Sequence, residues 1–102
     1  MSAKQRGSLP LFWSRRAHAD LQEIADFIAR DDEQSAARWI ERLLAAAEQA
    51  AHMPQSGRRV PEFCREEIRE VLLKNYQVVY LVQERKITVL AVFESHRLMG
   101  DL

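Results

Sequence analysis

The sequence predicts an α+β domain in the order β-α-α-β-β-β, a helical hairpin packed on a small antiparallel sheet. Three observations carry this reading. Apolar residues between positions 14 and 53 recur at helical spacing. Beyond Pro61 the period changes from 3.6 to 2. The chain has 102 residues, 47% hydrophobic and 29% charged, enough for one core and no second domain.

Leu11-Phe12-Trp13 is a short apolar run with strand-like content. Ser14 is placed to cap a helix, and Ala17, Leu21, Ile24, Ala25 and Ile28 follow on one face, with Asp20, Glu23, Asp26 and Arg30 mainly on the other. Asp31-Asp32-Glu33-Gln34 interrupts the pattern. Ser35 is expected to cap a second helix with Ala36, Ile40, Leu43, Leu44, Ala47 and Ala51 on its apolar stripe, ended by Met53-Pro54. The short interval between the helices makes them antiparallel neighbours. Residues 54–61 read as an irregular loop from their Pro and Gly content. Three strands follow, Ile68 to Leu73, Tyr76 to Val82 and Ile87 to Phe93, joined by Lys74-Asn75 and by Gln83-Glu84-Arg85-Lys86. Such short links predict a meander. The last strand is almost wholly apolar, as a central or doubly covered strand should be.

Composition excludes several classes. No apolar run approaches the ~18 residues of a membrane span. Met1 to Pro10 carries two cations and no apolar stretch, so the expectation is a cytoplasmic protein with a flexible arm over residues 1–10 and one domain over 11–102. A single cysteine, Cys64, rules out an intrachain disulfide. Fifteen cations balance fifteen acids, which removes the simplest argument for nucleic-acid binding. Twelve of the cations are arginine, the residue suited to planar bidentate contacts.

Phosphate-binding glycine motifs, zinc-protease signatures and nucleophile elbows are absent from the sequence. His18, His52 and His96 are widely spaced, so no metal site and no cofactor is expected. What remains is a polar set at strand and loop ends. Arg58 and Arg59 lie in the loop after the helices, Arg65 and Arg69 near the start of the first meander strand, and Glu94, Ser95, His96 and Arg97 beyond the last. If the meander forms, the arginines can approach one side of the sheet. His96 beside Arg97 is either an exposed side chain or a general acid/base next to a phosphate clamp. Trp39, like Phe12-Trp13, is either core or a partner-facing anchor.

The motif Trp13-Ser14-x-x-Ala17-x-x-Asp20-Leu21-x-x-Ile24-x-x-Phe27-Ile28 resembles the opening of the ParE/RelE toxin superfamily. Pro54-x-x-Gly57-Arg58-x-Val60-Pro61-Glu62 is similar to that family's middle loop. Ile68-Arg69-Glu70 before Tyr76-x-Val78-x-Tyr80 resembles its strand pair. Ile87-x-Val89-x-x-Val92 with His96-Arg97-Leu98 resembles its closing strand and arginine. The ordered match spans about residues 11–98.

The resemblance implies a bacterial toxin of a type II toxin–antitoxin module, stabilising a plasmid or chromosome and neutralised by a cognate antitoxin. RelE-like members cut mRNA on the ribosome with basic sheet residues and a tyrosine near the C-terminus. ParE-like members lack that set and inhibit DNA gyrase. Here Gln77 follows Tyr76 where the ribonuclease branch has an arginine, although Gln77 also departs from many ParE-like members. Arg69 and Glu70 stand where lysines are expected, and no tyrosine follows Arg97. Losing those cations removes transition-state charge stabilisation. The favoured expectation is a non-enzymatic gyrase inhibitor with target contacts at Arg58, Arg59, Arg69, His96 and Arg97 and antitoxin anchors at Leu11, Trp13 and Trp39. The alternatives are a ribosome-dependent endoribonuclease using Arg69, His96 and Arg97, or an inactive antitoxin-binding module. Neither membrane contact nor direct DNA binding outside the antitoxin complex is expected.

Overall fold

The computed structural model describes residues 8–60 and 65–94. Strand β1 (Leu11–Trp13) leads to helices α1 (Arg15–Ala29) and α2 (Glu33–His52). A 3-10 turn (Pro54–Ser56) then leads to β2 (Arg58–Arg59), β3 (Ile68–Leu73), β4 (Tyr76–Val82) and β5 (Ile87–Glu94). The sheet order is β1-β5-β4-β3-β2. The predicted meander β3-β4-β5 is antiparallel throughout, and β1 joins β5 in parallel. The α+β hairpin-on-sheet architecture is the one expected.

Ser14 caps α1 and also ties the helix to the sheet. Its Oγ accepts from the Ala17 N–H at 3.0 Å and donates to the Leu90 carbonyl at 3.0 Å. Its own N–H donates to Val89 O. Six residues on, the Asp20 carboxylate accepts the Val92 N–H at 2.9 Å. Side chains of α1 thus satisfy the edge of β5 where three-residue β1 has ended, so that backbone polar groups keep partners.

The cap of α2 differs from expectation. Asp32, not Ser35, is the N-cap: its carboxylate accepts from the Gln34 N–H and from Ser35 Oγ, both at 3.0 Å. Ser35 lies inside the first turn. The stripe also shifts, because Ala50 is buried with Ala36, Leu43, Ala47 and Ala51 while Leu44 is exposed. Residues 54–61 are not wholly irregular, since Arg58 and Arg59 pair with Glu70 and Arg69 as β2. Two residues give no periodic signal from which a strand is readable. At the N-terminus, Leu9 donates its N–H to Ala51 O and Pro10 accepts from Ile87 N, so residues 8–10, placed in the arm by sequence, bond to helix and strand.

Both helices pack on one sheet face, where Ala17, Leu43 and Ala47 meet Tyr76, Val78, Val89 and Val92. A second cluster joins Ala50 and Ala51 to Tyr80 and Ile87. A register shift opposite Val79 and Tyr80 leaves Leu90 bulged, which turns both Val89 and Val92 toward the helices. This accounts for the nearly unbroken apolar run of β5. The bulged Leu90 and Phe93 pack instead on Val60, Ile68 and Val79, a cluster to which neither helix contributes.

Tyr80 is fully buried, yet its hydroxyl reaches the turn after α2. It donates to Pro54 O at 2.8 Å and accepts from the Gly57 N–H at 3.1 Å. A Cβ on Gly57 would stand 2.2 Å from that hydroxyl and 2.9 Å from Glu70 O, closer than van der Waals contact allows. Burying a tyrosine here requires a partner for its hydroxyl. Urea unfolding should find Tyr80→Phe destabilised by about 1–3 kcal/mol, the cost of stranding buried partners. Gly57→Ala should also be destabilised, by about 1–3 kcal/mol from overpacking. A wild-type midpoint in either variant would refute the strut.

Candidate functional site

The edge formed by β2 and β3 gathers the loop and strand arginines. Successive residues of a strand face opposite ways, so β2 turns Arg58 to one face and Arg59 to the other. Arg58 opposes Glu70 on the face away from the helices, and Arg59 opposes Arg69 on the helix side. The three arginines expected on one side of the sheet therefore share an edge but divide between its faces.

Arg69 is drawn into the turn. Its Nη1 donates to Gly57 O at 2.8 Å, and its Nε is buried with no partner among the described residues. It acts with Tyr80 on the same residue: Tyr80 holds the N–H of Gly57 and Arg69 its carbonyl.

Arg58 meets a carboxylate. Glu70 Oε2 accepts from Arg58 Nε at 2.6 Å, and Glu70 Oε1 accepts from Gln77 Nε2. Glu70 is 2% exposed, whereas the Arg58 side chain is 65% exposed. Arg59 lies 3.9 Å from Glu66 and Arg65 lies 3.4 Å from Glu67, both as exposed pairs worth little in stability. The Glu67 carboxyl is held below the usual range by its own backbone N–H and then by Arg65. Four arginines thus face three carboxylates along this edge, which leaves a small positive surplus.

His96 and Arg97 lie outside the described residues, as does Cys64. Leu11, Trp13 and Trp39 are half-buried against the main core. Trp39 packs edge-on to Tyr76 with ring centroids 5.3 Å apart, and Arg42 lies over its ring at 5.0 Å. The large apolar residues most exposed are Phe12, Phe27, Leu44, Met53 and Leu72. Among the described residues no cluster of three or more His, Cys, Asp or Glu could hold a metal. No described helix is long and apolar enough to cross a membrane.

Sequence reasoning placed Glu70 where a lysine is expected but missed its burial and its pairing with Arg58 and Gln77. The available signal was its position between Ile68 and Leu72, two apolar residues on the same strand face.

A helical hairpin on a five-stranded sheet is a fold shared with solved toxin–antitoxin structures. In solved structures the chain resembles the chromosomal ParDE toxin–antitoxin system of P. aeruginosa, with TM-score 0.71 and 19% identity, covering 86% of this chain and 97% of that one. It also resembles the toxin–antitoxin complex RelBE2 of Mycobacterium tuberculosis, with TM-score 0.65 and 14% identity, covering 87% and 93%. A curated protein of Sinorhizobium fredii named "Putative toxin Y4kP" is 33% identical over 89 residues, 83% of this chain and 86% of its own length. Residues 11–99 match the family described as ParE toxin of type II toxin–antitoxin system, parDE. The chain belongs to this family and is a type II toxin of the ParE/RelE superfamily.

Two tyrosines should give the domain an alkaline limit. Burial pushes the Tyr80 hydroxyl above its ordinary range, opposed in part by Gly57 and Arg69. Burial and then Glu94 push Tyr76 the same way. Because the folded state holds these protons more tightly, the stabilisation is full below pH about 10 and lost as pH rises through the folded values. Urea denaturation between pH 8 and 12 should show this loss in the wild type and a shallower loss in Tyr80→Phe. Equal slopes would contradict the assignment.

Proposed function

We propose that this toxin inhibits DNA gyrase through protein–protein contact and is neutralised by a cognate antitoxin. The observation that carries the reading is Glu70. On the sheet face left free by the helices, where an mRNA-cutting relative would need cations, a buried carboxylate neutralises Arg58 and is held by Gln77. The exposed cation of that face, Arg58, is thereby already neutralised, so among the described residues it offers a phosphodiester little uncompensated positive charge. The nearly balanced edge likewise offers little to ribosomal RNA, whose binding scales with the number of phosphates neutralised.

On this reading the chain is a single toxin domain over residues 11–102, is not an enzyme, needs no cofactor and works in the cytoplasm where gyrase acts. Arg58, Arg59 and Arg69 are the proposed target contacts, joined by His96 and Arg97. Arg69 also secures the turn, so its contribution is partly to place the other two. The antitoxin is supported by the two solved relatives, each titled as a toxin–antitoxin system or complex. Its proposed anchors are Leu11, Trp13 and Trp39, whose half-buried side chains leave apolar surface for an amphipathic segment.

Purified gyrase should lose supercoiling activity when the chain is added and should accumulate trapped, cleaved DNA. Arg58→Ala should weaken the inhibition by about tenfold, in line with loss of a charged interfacial contact. Unaffected gyrase together with cleaved mRNA in a translating extract would overturn the reading and favour a ribosome-dependent nuclease. A chain inert in both assays would leave antitoxin binding alone.

A further inference from the structure

A carboxylate 2% exposed in the middle of β3 is an expensive residue. Its neighbours on the same strand face, Ile68 and Leu72, are apolar, and Val79 stands directly opposite on β4. An apolar side chain would fit that row without the desolvation penalty of an ion. Glu70 is retained there with both oxygens engaged, one by the Gln77 carboxamide and one by Arg58 Nε. Gln77 is itself nearly buried, so the clamp is rooted in the sheet. Arg58 is its outward end: it belongs to a two-residue edge strand, and its side chain is mostly exposed.

The point of attachment matters. Nε is the guanidinium nitrogen nearest the main chain, and a guanidinium held there retains Nη1 and Nη2 as further donors in a fixed plane. Lysine has no equivalent, because its three N–H donors share one freely rotating nitrogen and define no plane. A guanidinium fixed in advance loses less freedom when a partner binds.

We propose that Glu70, clamped by Gln77, is a positioning residue that orients Arg58 at the exposed rim of the sheet to receive an acidic side chain of the toxin's protein target. The proposal rests on the preceding reading in taking Arg58 as a target contact. Glu70 itself touches no target. Its pairing lowers the net charge of the site, which disfavours a polyanion, and leaves a directional donor matched to a single carboxylate.

The test is a double-mutant cycle on potency. Glu70→Gln, Arg58→Ala and the double variant are expressed at graded levels in bacterial cells and scored for growth arrest. The same proteins are assayed against purified gyrase. Urea midpoint and capture by the cognate antitoxin report folding separately. Glu70→Gln should lower potency about tenfold, a coupling within the range for groups in direct contact. In the Arg58→Ala background it should lower potency no further. A full additional loss in that background, or wild-type potency for Glu70→Gln, overturns the proposal. If Glu70→Gln fails to fold, Arg58→Lys decides. It keeps a cation for Glu70 but lacks the paired donors, so potency should fall about tenfold in a chain that still captures antitoxin. Undiminished potency would overturn the proposal. A wild type that arrests growth without affecting gyrase removes the gyrase reading, while the growth cycle still decides the role of Glu70. Inhibited gyrase with additive variants removes the positioning role and leaves that reading standing. A wild type inert in both assays overturns both.

Discussion

The hydroxyl of Tyr80 is the point at which helix layer, turn and sheet edge are joined. Its ring lies in the second core cluster with Ala50, Ala51 and Ile87. Its oxygen bonds Pro54 O and Gly57 N. Over the five residues from Met53 to Gly57 the chain must cross from the helix layer to the far edge of the sheet. A buried hydroxyl without partners would cost several times what a hydrogen bond returns, so the turn is held where both bonds form. Arg69 then takes the Gly57 carbonyl. With Gly57 held through both its N–H and its carbonyl, β2 can pair with β3 in one register, and Arg58 falls opposite Glu70. The arrangement of the functional edge therefore follows from a core residue that touches none of its exposed surface.

The helices and the meander were legible because local rules decide them. Ser14 before an apolar face, the Ala-rich second helix and the switch to alternation each report the backbone directly. The departures occur where two local answers were equally good or where the answer was non-local. Asp32 and Ser35 both carry side-chain oxygens able to cap α2. Asp32 accepts from the Gln34 N–H and from Ser35 itself, so one residue serves as cap and the other as its donor. These bonds, led by that from Ser35, hold the Asp32 carboxyl below its ordinary range. The bulge at Leu90 was hidden for a different reason: in a strand apolar on both faces, a slip in alternation leaves no trace in composition.

The candidate site was legible as residue types and illegible as partners. A sequence with twelve arginines and balanced charge shows that cations are matched overall, and says nothing of which carboxylate meets which arginine. The pair that matters, Arg58 with Glu70, spans twelve residues and depends on strand pairing. Arg69 read as a target contact, and the structure adds a bond from its Nη1 to the Gly57 carbonyl. Leu11, Trp13 and Trp39 could be told neither as core nor as surface, and the structure makes them the flank of the core. Amphipathic aromatic residues at the margin of a small domain commonly occupy that position.

The helices cover one face of this sheet and Val60, Ile68 and Val79 are buried on the other, which leaves recognition to the exposed rim around Arg58. What that surface can recognise then depends on its charge balance. An isolated arginine attracts phosphate from about a Debye length away, roughly 8–10 Å at physiological salt. An arginine paired with a carboxylate at 2.6 Å presents a dipole, whose field decays faster with distance and adds little to long-range attraction of a polyanion. At contact the same pair still offers directional N–H donors, and these discriminate among protein surfaces where bulk charge does not. Exchanging a cation for a carboxylate beneath this rim would thus lower its attraction for a polyanion with the hairpin, sheet and core left intact. This is consistent with one fold serving several targets, because the residues that secure the fold and the residues that set the charge of the free face are largely separate sets.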